Sequence, residues 1–596
     1  MTTFVQILCK IRSPRLPFPS SLSETKKLRK TPSVPWQCAQ FRTCSGAASK
    51  SSETPFVPLE GDIDTGHVDF QANFVHNYQL NDQLQEILGI VQAGGGERSL
   101  KKHTEVNKKI FVRDRLRLLL DDYDNEFLEL SSLAGWDMEY GRIPAASNVC
   151  GVGKVRGTWC TVSASDATIK GGTSYPITVN KQLRMQEICQ QNSLPAIYII
   201  DSGGAFLPLQ SEIFPDKNHG GRVFYNEAVL SAQGISQLAI VCGSCTAGGA
   251  YVPTMADEAI IMHKIGTIFL GGPPLVQAAT GERVTSEDLG GATLHCRVSG
   301  CTDHFAATEE EGFAMGRDSI STLNITPPSD PVGWKEPLYS QDELLGLVSQ
   351  SGEVRGQMRK ILARLVDGSR FHEFKKLYGT TLISGFAFVK GHLVGIVAND
   401  GELSHDAAIK GAHFAELCQH RNIPLIFLQS VSEDESWAEG NYELIAETLK
   451  ARAKMAAVVA CMTVPKITVI VGKSYGSSSF AMCSNSFDPR FVFMWPNARV
   501  GLHNPEEMAT LAAQESGKPD MEEKLREKFQ KQSTAVFASS RMWNDGVIAP
   551  QDTRNVLSQC LSILSQQACN EPYTYQDRAV LRIDPSKELF VGPLLY

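Results

Sequence analysis

The 596-residue sequence is 42% hydrophobic and 20% charged, with a formal net charge of −8. That balance describes a globular chain long enough for more than one hydrophobic core, and its acidity argues against nucleic acid as the main partner. No apolar run approaches the roughly 18 residues of a membrane-crossing helix, so no membrane span is expected.

The first 55 residues hold nine Lys or Arg against Glu24 and Glu53 alone, among many Ser, Thr and Pro. Residues 1–55 therefore read as a mitochondrial transit peptide directing the chain to the matrix, with a plain basic tail as the alternative. A reducing matrix would keep the 15 cysteines as thiols. Cys242 and Cys245 form a CxxC, but no second Cys or His pair stands at zinc spacing. The flanking apolar run marks Cys242 as a buried strand residue, and no metal site is assigned.

From residue 56 an arm leads to a helix over Asn81–Ala93, closed by Gly94-Gly95-Gly96, and to a second helix over Val112–Asp121. Strands and turns fill Gly151–Gly172. A helix over Thr178–Asn192 then feeds a buried strand, Ala196–Ile200, and a strand-turn-helix unit follows over Leu238–Met255. The Pro-rich stretch Asn324–Pro337 reads as a linker. Beyond it the scheme returns: a strand at Gly395–Asn399, a helix at Asp406–His420, a strand at Leu425–Gln429, a helix at Tyr442–Met462 and a strand at Lys466–Val471. Short apolar strands alternating with helices predict an α/β fold of helix-covered sheets.

The return is a duplication at an offset of 229 residues. Glu187, Cys189, Gln190, Pro195 and Ile197 recur as Glu416, Cys418, Gln419, Pro424 and Ile426, and Gly243 recurs as Gly472. At the turns the copies diverge. Asp201-Ser-Gly-Gly-Ala205 faces Ser430-Val-Ser-Glu-Asp434, and Gly248-Gly249 faces Ser477-Ser478.

In the first copy, GSCTAGGAYVP (Gly243–Pro253) places small residues where a strand ends and a helix begins. Glycines there admit a substrate carbonyl to the backbone, and the unpaired N–H groups of a first helical turn can face a developing oxyanion. IIDSGGAFLP (Ile199–Pro208) has the same character at the neighbouring strand end, which suggests a cleft. Tight helix–sheet packing is the bland alternative. Two other motifs carry less. Gly472-Lys-Ser474-Tyr-Gly476 has the pattern of a serine nucleophile elbow with His503 downstream, but Ser474 stands opposite Cys245 in the repeat. MEEKLREKFQKQ (Met521–Gln532) reads as a solvated helix face.

DSGGAFLP, IFPDKNHGGRVFYNEA (Ile213–Ala228), GSCTAGGAYVPTMADEAII, Gly266–Gly300 and VDGSRFHEFKKLYG (Val366–Gly379) resemble the carboxyltransferase subunits of biotin-dependent acyl-CoA carboxylases, the methylcrotonoyl-CoA carboxylase beta chains above all. The likeness runs from about His103 to about Leu564. It implies two crotonase-like carboxyltransferase domains related by internal duplication: 56–325 on the acyl-CoA side, a linker at 326–338, and 339–570 on the biotin side, with a tail at 571–596. It also implies a hexamer of beta chains with a biotin-bearing alpha subunit, so that biotin is not attached to this chain and a coenzyme A thioester is the substrate. In that family carboxybiotin releases CO2, the biotin anion removes a proton from the acyl-CoA, and the enolate attacks CO2. Two oxyanion holes are required and no side-chain nucleophile.

By this resemblance Gly248 and Gly249 form the thioester oxyanion hole, while Gly203, Gly204 and Ala205 line the pocket. Lys170, Gly171 and Gly172 match the family's KGG segment, and Arg364, Phe371 and Tyr378 lie in its acyl-CoA-associated segment. Gly476, Ser477 and Ser478 occupy the biotin oxyanion hole. That second hole departs from the pattern: KSYGSSSFAMCS (Lys473–Ser484) keeps only Gly476 of a glycine-rich run, LHNPEE (Leu502–Glu507) replaces a paired glycine, and Glu433, Asp434 and Glu435 add acid. In the first half, Pro144-Ala145-Ala146 fills a glycine-rich turn and Leu209 replaces an Arg. A serine forced to positive φ costs on the order of 1 kcal/mol. Three readings follow: an active carboxyltransferase acting on 3-methylcrotonoyl-CoA or a near relative, in leucine catabolism; an impaired paralogue that binds acyl-CoA or serves assembly; and a decarboxylase that dispenses with biotin.

Overall fold

The computed structural model describes residues 56–328, 330–431, 442–517 and 519–566, all within one contact unit. The presequence, most of the acidic Ser430–Gly440 loop and the 571–596 tail lie outside the described residues.

Two sheets carry the duplication. In the first, Asn148–Val155 pairs antiparallel with Thr158–Ser165, and Ala196–Ser202, Gln237–Thr246, Glu258–Met262 and His304–Ala306 follow in parallel. The second repeats this with Leu382–Val389 against His392–Asn399, then Leu425–Val431, Lys466–Tyr475, Phe491–Met494 and Gly546–Val547. The strand AIYIIDS is apolar over its first five residues, four of them fully buried, because a parallel sheet is covered on both faces.

The 229-residue offset holds element by element at the centre of each sheet. Helix Pro176–Asn192 matches His405–Arg421, strand Ala196–Ser202 matches Leu425–Val431, and Gln237–Thr246 matches Lys466–Tyr475. Both helices stop on a left-handed residue, Ser193 (φ 51°) and Asn422 (φ 52°), whose N–H groups close the last turn. Even the irregularity in the ladder recurs, resuming at Ser202↔Cys245 in one sheet and at Val431↔Ser474 in the other.

The arm departs from expectation. Its helix spans Val68–Gln92 rather than Asn81–Ala93. The buried stripe of that helix is half polar (Asn77, Asn81, Leu84, Val91), so its N-terminal turns carry little apolar periodicity. Asn77 Nδ2 donates to the carbonyls of Leu345 and Val348 at 2.8 and 2.9 Å, and Val57–Pro58 adds a strand beside Arg370–Glu373. The start of the arm and its helix thus reach the second half of the chain, while the helix's later residues Leu84 and Val91 pack with Leu133, Trp136 and Ala145 of the first. The linker does not separate two cores either: Cys150, Trp159 and Ile188 pack in one cluster with Leu362, Ile383 and Phe491.

Candidate active site

Both glycine turns of the first repeat hang from one buried ion cluster. Asp201, next to last in the Ala196–Ser202 strand, accepts from Lys109 Nζ at 2.9 Å and Arg115 Nη1 at 3.3 Å. Arg115, wholly buried, also donates Nε to Glu309 at 2.6 Å and Nη2 to the carbonyl of Cys242 in the adjacent strand at 3.1 Å. Gly243 allows this approach, since a Cβ there would stand 1.9 Å from an Asp201 carboxylate oxygen. The cluster fixes the spacing of the two strand ends, and hence of the turns that follow them. Nothing in the RDRLRLL pattern distinguished Arg115 from Arg113 or Arg117, and Lys109 and Glu309 carried no motif.

After the Gln237–Thr246 strand, Ala247 adopts φ 54° and the chain enters a short helical turn over Ala247–Ala250 that runs into helix Tyr251–Met255. The N–H of Tyr251 donates to the carbonyl of Gly248, and a helix start of this kind leaves leading N–H groups without a partner inside the helix. At the neighbouring strand end Ser202 Oγ donates to the carbonyl of Gly172 at 2.7 Å and accepts from the N–H of Gly204, itself at φ 91°.

Both turns face one cavity of about 540 Å³, bounded by Gly203, Gly204, Ala205, Ala247, Gly248 and Gly249. Leu270, Leu275 and Phe214 rim it with apolar side chains. Lys170, Gly171 and Gly172 are brought against the Asp201–Gly203 turn, where Gly171 accepts from the N–H of Gly203 at 3.0 Å, but they stand behind the cavity wall. A Cβ at Gly172 would lie 2.2 Å from the carbonyl of Asp201, so packing alone requires that glycine. Lys170 is exposed.

Arg364 and Phe371 correct the expectation from the acyl-CoA-associated segment. Arg364 is 0% exposed, bound to Glu343 at 2.5 Å and to the carbonyl of Gly61, and Phe371 is a core residue at 2% exposure. Neither can touch a substrate. Tyr378, half-exposed, donates to Asp406 at 3.0 Å. Cys242 and Cys245 are buried thiols, raised by desolvation. Ser474 lies inside the Lys466–Tyr475 strand opposite Val500, with none of the strained exposure of a nucleophile elbow. Met521–Gln532 lies along a helix whose Arg526 pairs with Glu506, Glu522 and Glu523.

The second turn repeats the first. Gly476 stands in the place of Ala247 at φ 72°, and Ser477 and Ser478 follow into a short helix, Ser477 at φ −69°, ψ −18°. The strain expected of these serines is absent, because neither occupies the left-handed region. Their counterparts Gly248 and Gly249 have no positive φ either, and a Cβ on Gly249 would meet nothing within 4 Å. The left-handed requirement falls one residue earlier, where the first copy bears an alanine and the second a glycine.

The chain belongs to the carboxyl transferase domain family, whose profile matches residues 103–579. It is 46% identical over 543 residues to the methylcrotonoyl-CoA carboxylase beta chain, mitochondrial, of Dictyostelium discoideum, covering 88% of this chain and 91% of that one. A biotin-dependent 3-methylcrotonyl-coenzyme A carboxylase beta1 subunit of Mycobacterium tuberculosis is 46% identical over 81% of this chain and 94% of its own. Among solved structures, the beta subunit of P. aeruginosa geranyl-CoA carboxylase aligns at a TM-score of 0.78 and 34% identity, over 87% of this chain and 98% of that chain. The fold is therefore the crotonase-like carboxyltransferase fold, used twice.

Proposed function

We propose that the chain is the carboxyltransferase subunit of a biotin-dependent acyl-CoA carboxylase, carboxylating an acyl-CoA of the 3-methylcrotonoyl type. The observation that carries this reading is the register-matched pair of strand-end turns, Ala247–Gly249 and Gly476–Ser478, each presenting helix-start amides, the first over an apolar cavity. Gly248 and Gly249 donate to the thioester oxygen as negative charge grows there, and the Gly203–Ala205 turn forms the facing wall. Carboxylated biotin, carried by a partner alpha subunit, supplies the carboxyl group and the base when bound. Gly476, Ser477 and Ser478 are the residues that would hold its ureido oxygen, and their unstrained backbone fits that task.

Residues of the second turn do not bound the cavity of the same chain, so a complete site calls for the second turn of another copy. This agrees with a homo-oligomer, in the family's form a hexamer bearing alpha chains. Relatives from Dictyostelium, Drosophila and Arabidopsis named as mitochondrial, together with the basic first 55 residues, support a mitochondrial matrix address.

The test is bicarbonate-dependent carboxylation of 3-methylcrotonoyl-CoA by the chain assembled with a biotin-bearing alpha subunit. Turnover supports the reading. Acyl-CoA binding without carboxyl transfer, restored by Ser477→Gly with Ser478→Gly, would instead establish the impaired paralogue.

A further inference from the structure

The cavity does not end at the glycine turns. It continues between the sheet and two helices, Pro176–Asn192 and Gly220–Ala232, both of which run antiparallel to the strands. Thr161, Ser163 and Ser165 line it from one strand, and Ala196, Tyr198 and Ile200 from the next. On the first helix Val179, Gln182, Met185 and Cys189 face it, a single helical stripe that descends about 15 Å at 1.5 Å per residue. On the second, Gly220, Val223 and Glu227 form the opposite wall over about 10 Å. The Ser174↔Ala205 bridge ties the start of the first helix to the glycine-turn end, so Cys189 and Ala196 mark the far, closed end.

Protein interiors rarely leave voids larger than a water molecule. Here the volume is about 540 Å³, whereas a cavity of about 150 Å³ lined by apolar groups already binds benzene. A short branched acyl group and its thioester leave most of this space empty. The lining carries no basic residue, and its one carboxyl, Glu227, is 0% exposed with neither oxygen hydrogen-bonded among the described residues. Burial pushes that carboxyl up to about 8, so the channel bears no fixed charge at neutral pH.

We infer that this channel receives the acyl chain and that the substrate is an acyl-CoA bearing an extended, uncharged apolar tail beyond the carbons that react. The inference rests on the carboxyltransferase reading and names its substrate class. Gly220 sets the width of the entrance: it begins its helix, where a side chain is conformationally allowed, and a Cβ there would meet only the carbonyl of Ile213, at 3.2 Å.

The experiment uses the assembled holoenzyme and 3-methyl-2-enoyl-CoAs of increasing chain length, reading bicarbonate incorporation and, separately, calorimetric affinity for the saturated acyl-CoAs. Wild type is expected to gain about threefold to fourfold in kcat/KM for each added methylene until the closed end is reached. Gly220→Leu should lower the long-to-short ratio of kcat/KM at least tenfold, and Cys189→Phe should shift the optimum to shorter chains. If the shortest homologue is the best substrate, the saturated long chains bind no tighter than short ones, and neither variant moves the ratio, the inference is overturned. If no acyl-CoA is carboxylated but long chains still bind tightest and Gly220→Leu abolishes that preference, the channel stands and the carboxyltransferase reading falls.

Discussion

Glu227 sits where a carboxylate cannot be stable, and its effect on folding has a definite sign. Its carboxyl is raised by burial to about 8, from an ordinary value of 4.5. Below pH 4.5 the folded and unfolded chains hold the same proton. Between 4.5 and 8 only the folded chain keeps it, so stability falls as pH rises through that window and stays lowered above it. Glu227→Gln should therefore leave the chain relatively more stable at pH 9 than at pH 5 by on the order of 3–5 kcal/mol, seen in denaturation midpoints at the two pH values. Glycine positions divide just as sharply. Gly243→Ala would drive a methyl into the Asp201 carboxylate at 1.9 Å and is expected to yield no folded protein, while Gly249→Ser, with nothing within 4 Å, should unfold within about 0.5 kcal/mol of wild type. Ala145 and Ala146 present the opposite case. They hold φ 48° and 55° in the turn where glycine was expected, pinned by Lys181 Nζ donating to the carbonyl of Ala145 at 3.1 Å and by Thr178 Oγ1 donating to that of Ala146 at 2.8 Å.

Among elements, the strand ends decide the site. Arg115 connects the Asp201 turn, the Cys242 carbonyl and Glu309 on helix Glu309–Ser321. Arg115→Met removes one member of a buried cluster and leaves two carboxylates short of a partner, a change that costs about 3–5 kcal/mol. The expected outcome is a lower unfolding midpoint together with loss of acyl-CoA binding, measured by calorimetry. A midpoint unchanged within error would remove Arg115 from its positioning role. The central strands and helices were legible in the sequence because parallel strands are largely apolar and the 229-residue repeat aligned them in pairs. The cluster was not legible, since Arg115 and Lys109 gain their meaning only from Asp201 and Glu309, 86 and 194 residues from Arg115. The arm helix is only half legible, because two of its four buried positions are asparagines, Asn77 donating to the carbonyls of Leu345 and Val348 and Asn81 to Gln551 Oε1. The serines of the second turn carry no strain because the position that takes positive φ is Gly476, one residue before them.

At the scale of the molecule, duplication produced two amide turns of one design on two sheets that share a core. Because Ser477 and Ser478 leave that design intact, Ser477→Gly with Ser478→Gly should change carboxyl transfer by less than about threefold, the opposite of what an impaired turn would give. We propose that backbone amides of the first turn, rather than any side chain, stabilise the thioester oxygen. Gly249 allows a direct test, since a Cβ there meets nothing within 4 Å and proline in the first turn of a helix is tolerated, so Gly249→Pro deletes one N–H where Gly249→Ala keeps it. Measured as kcat for carboxylation by the assembled holoenzyme, the proline variant should fall about 100- to 1000-fold below the alanine variant. Equal rates for the two variants would contradict the account.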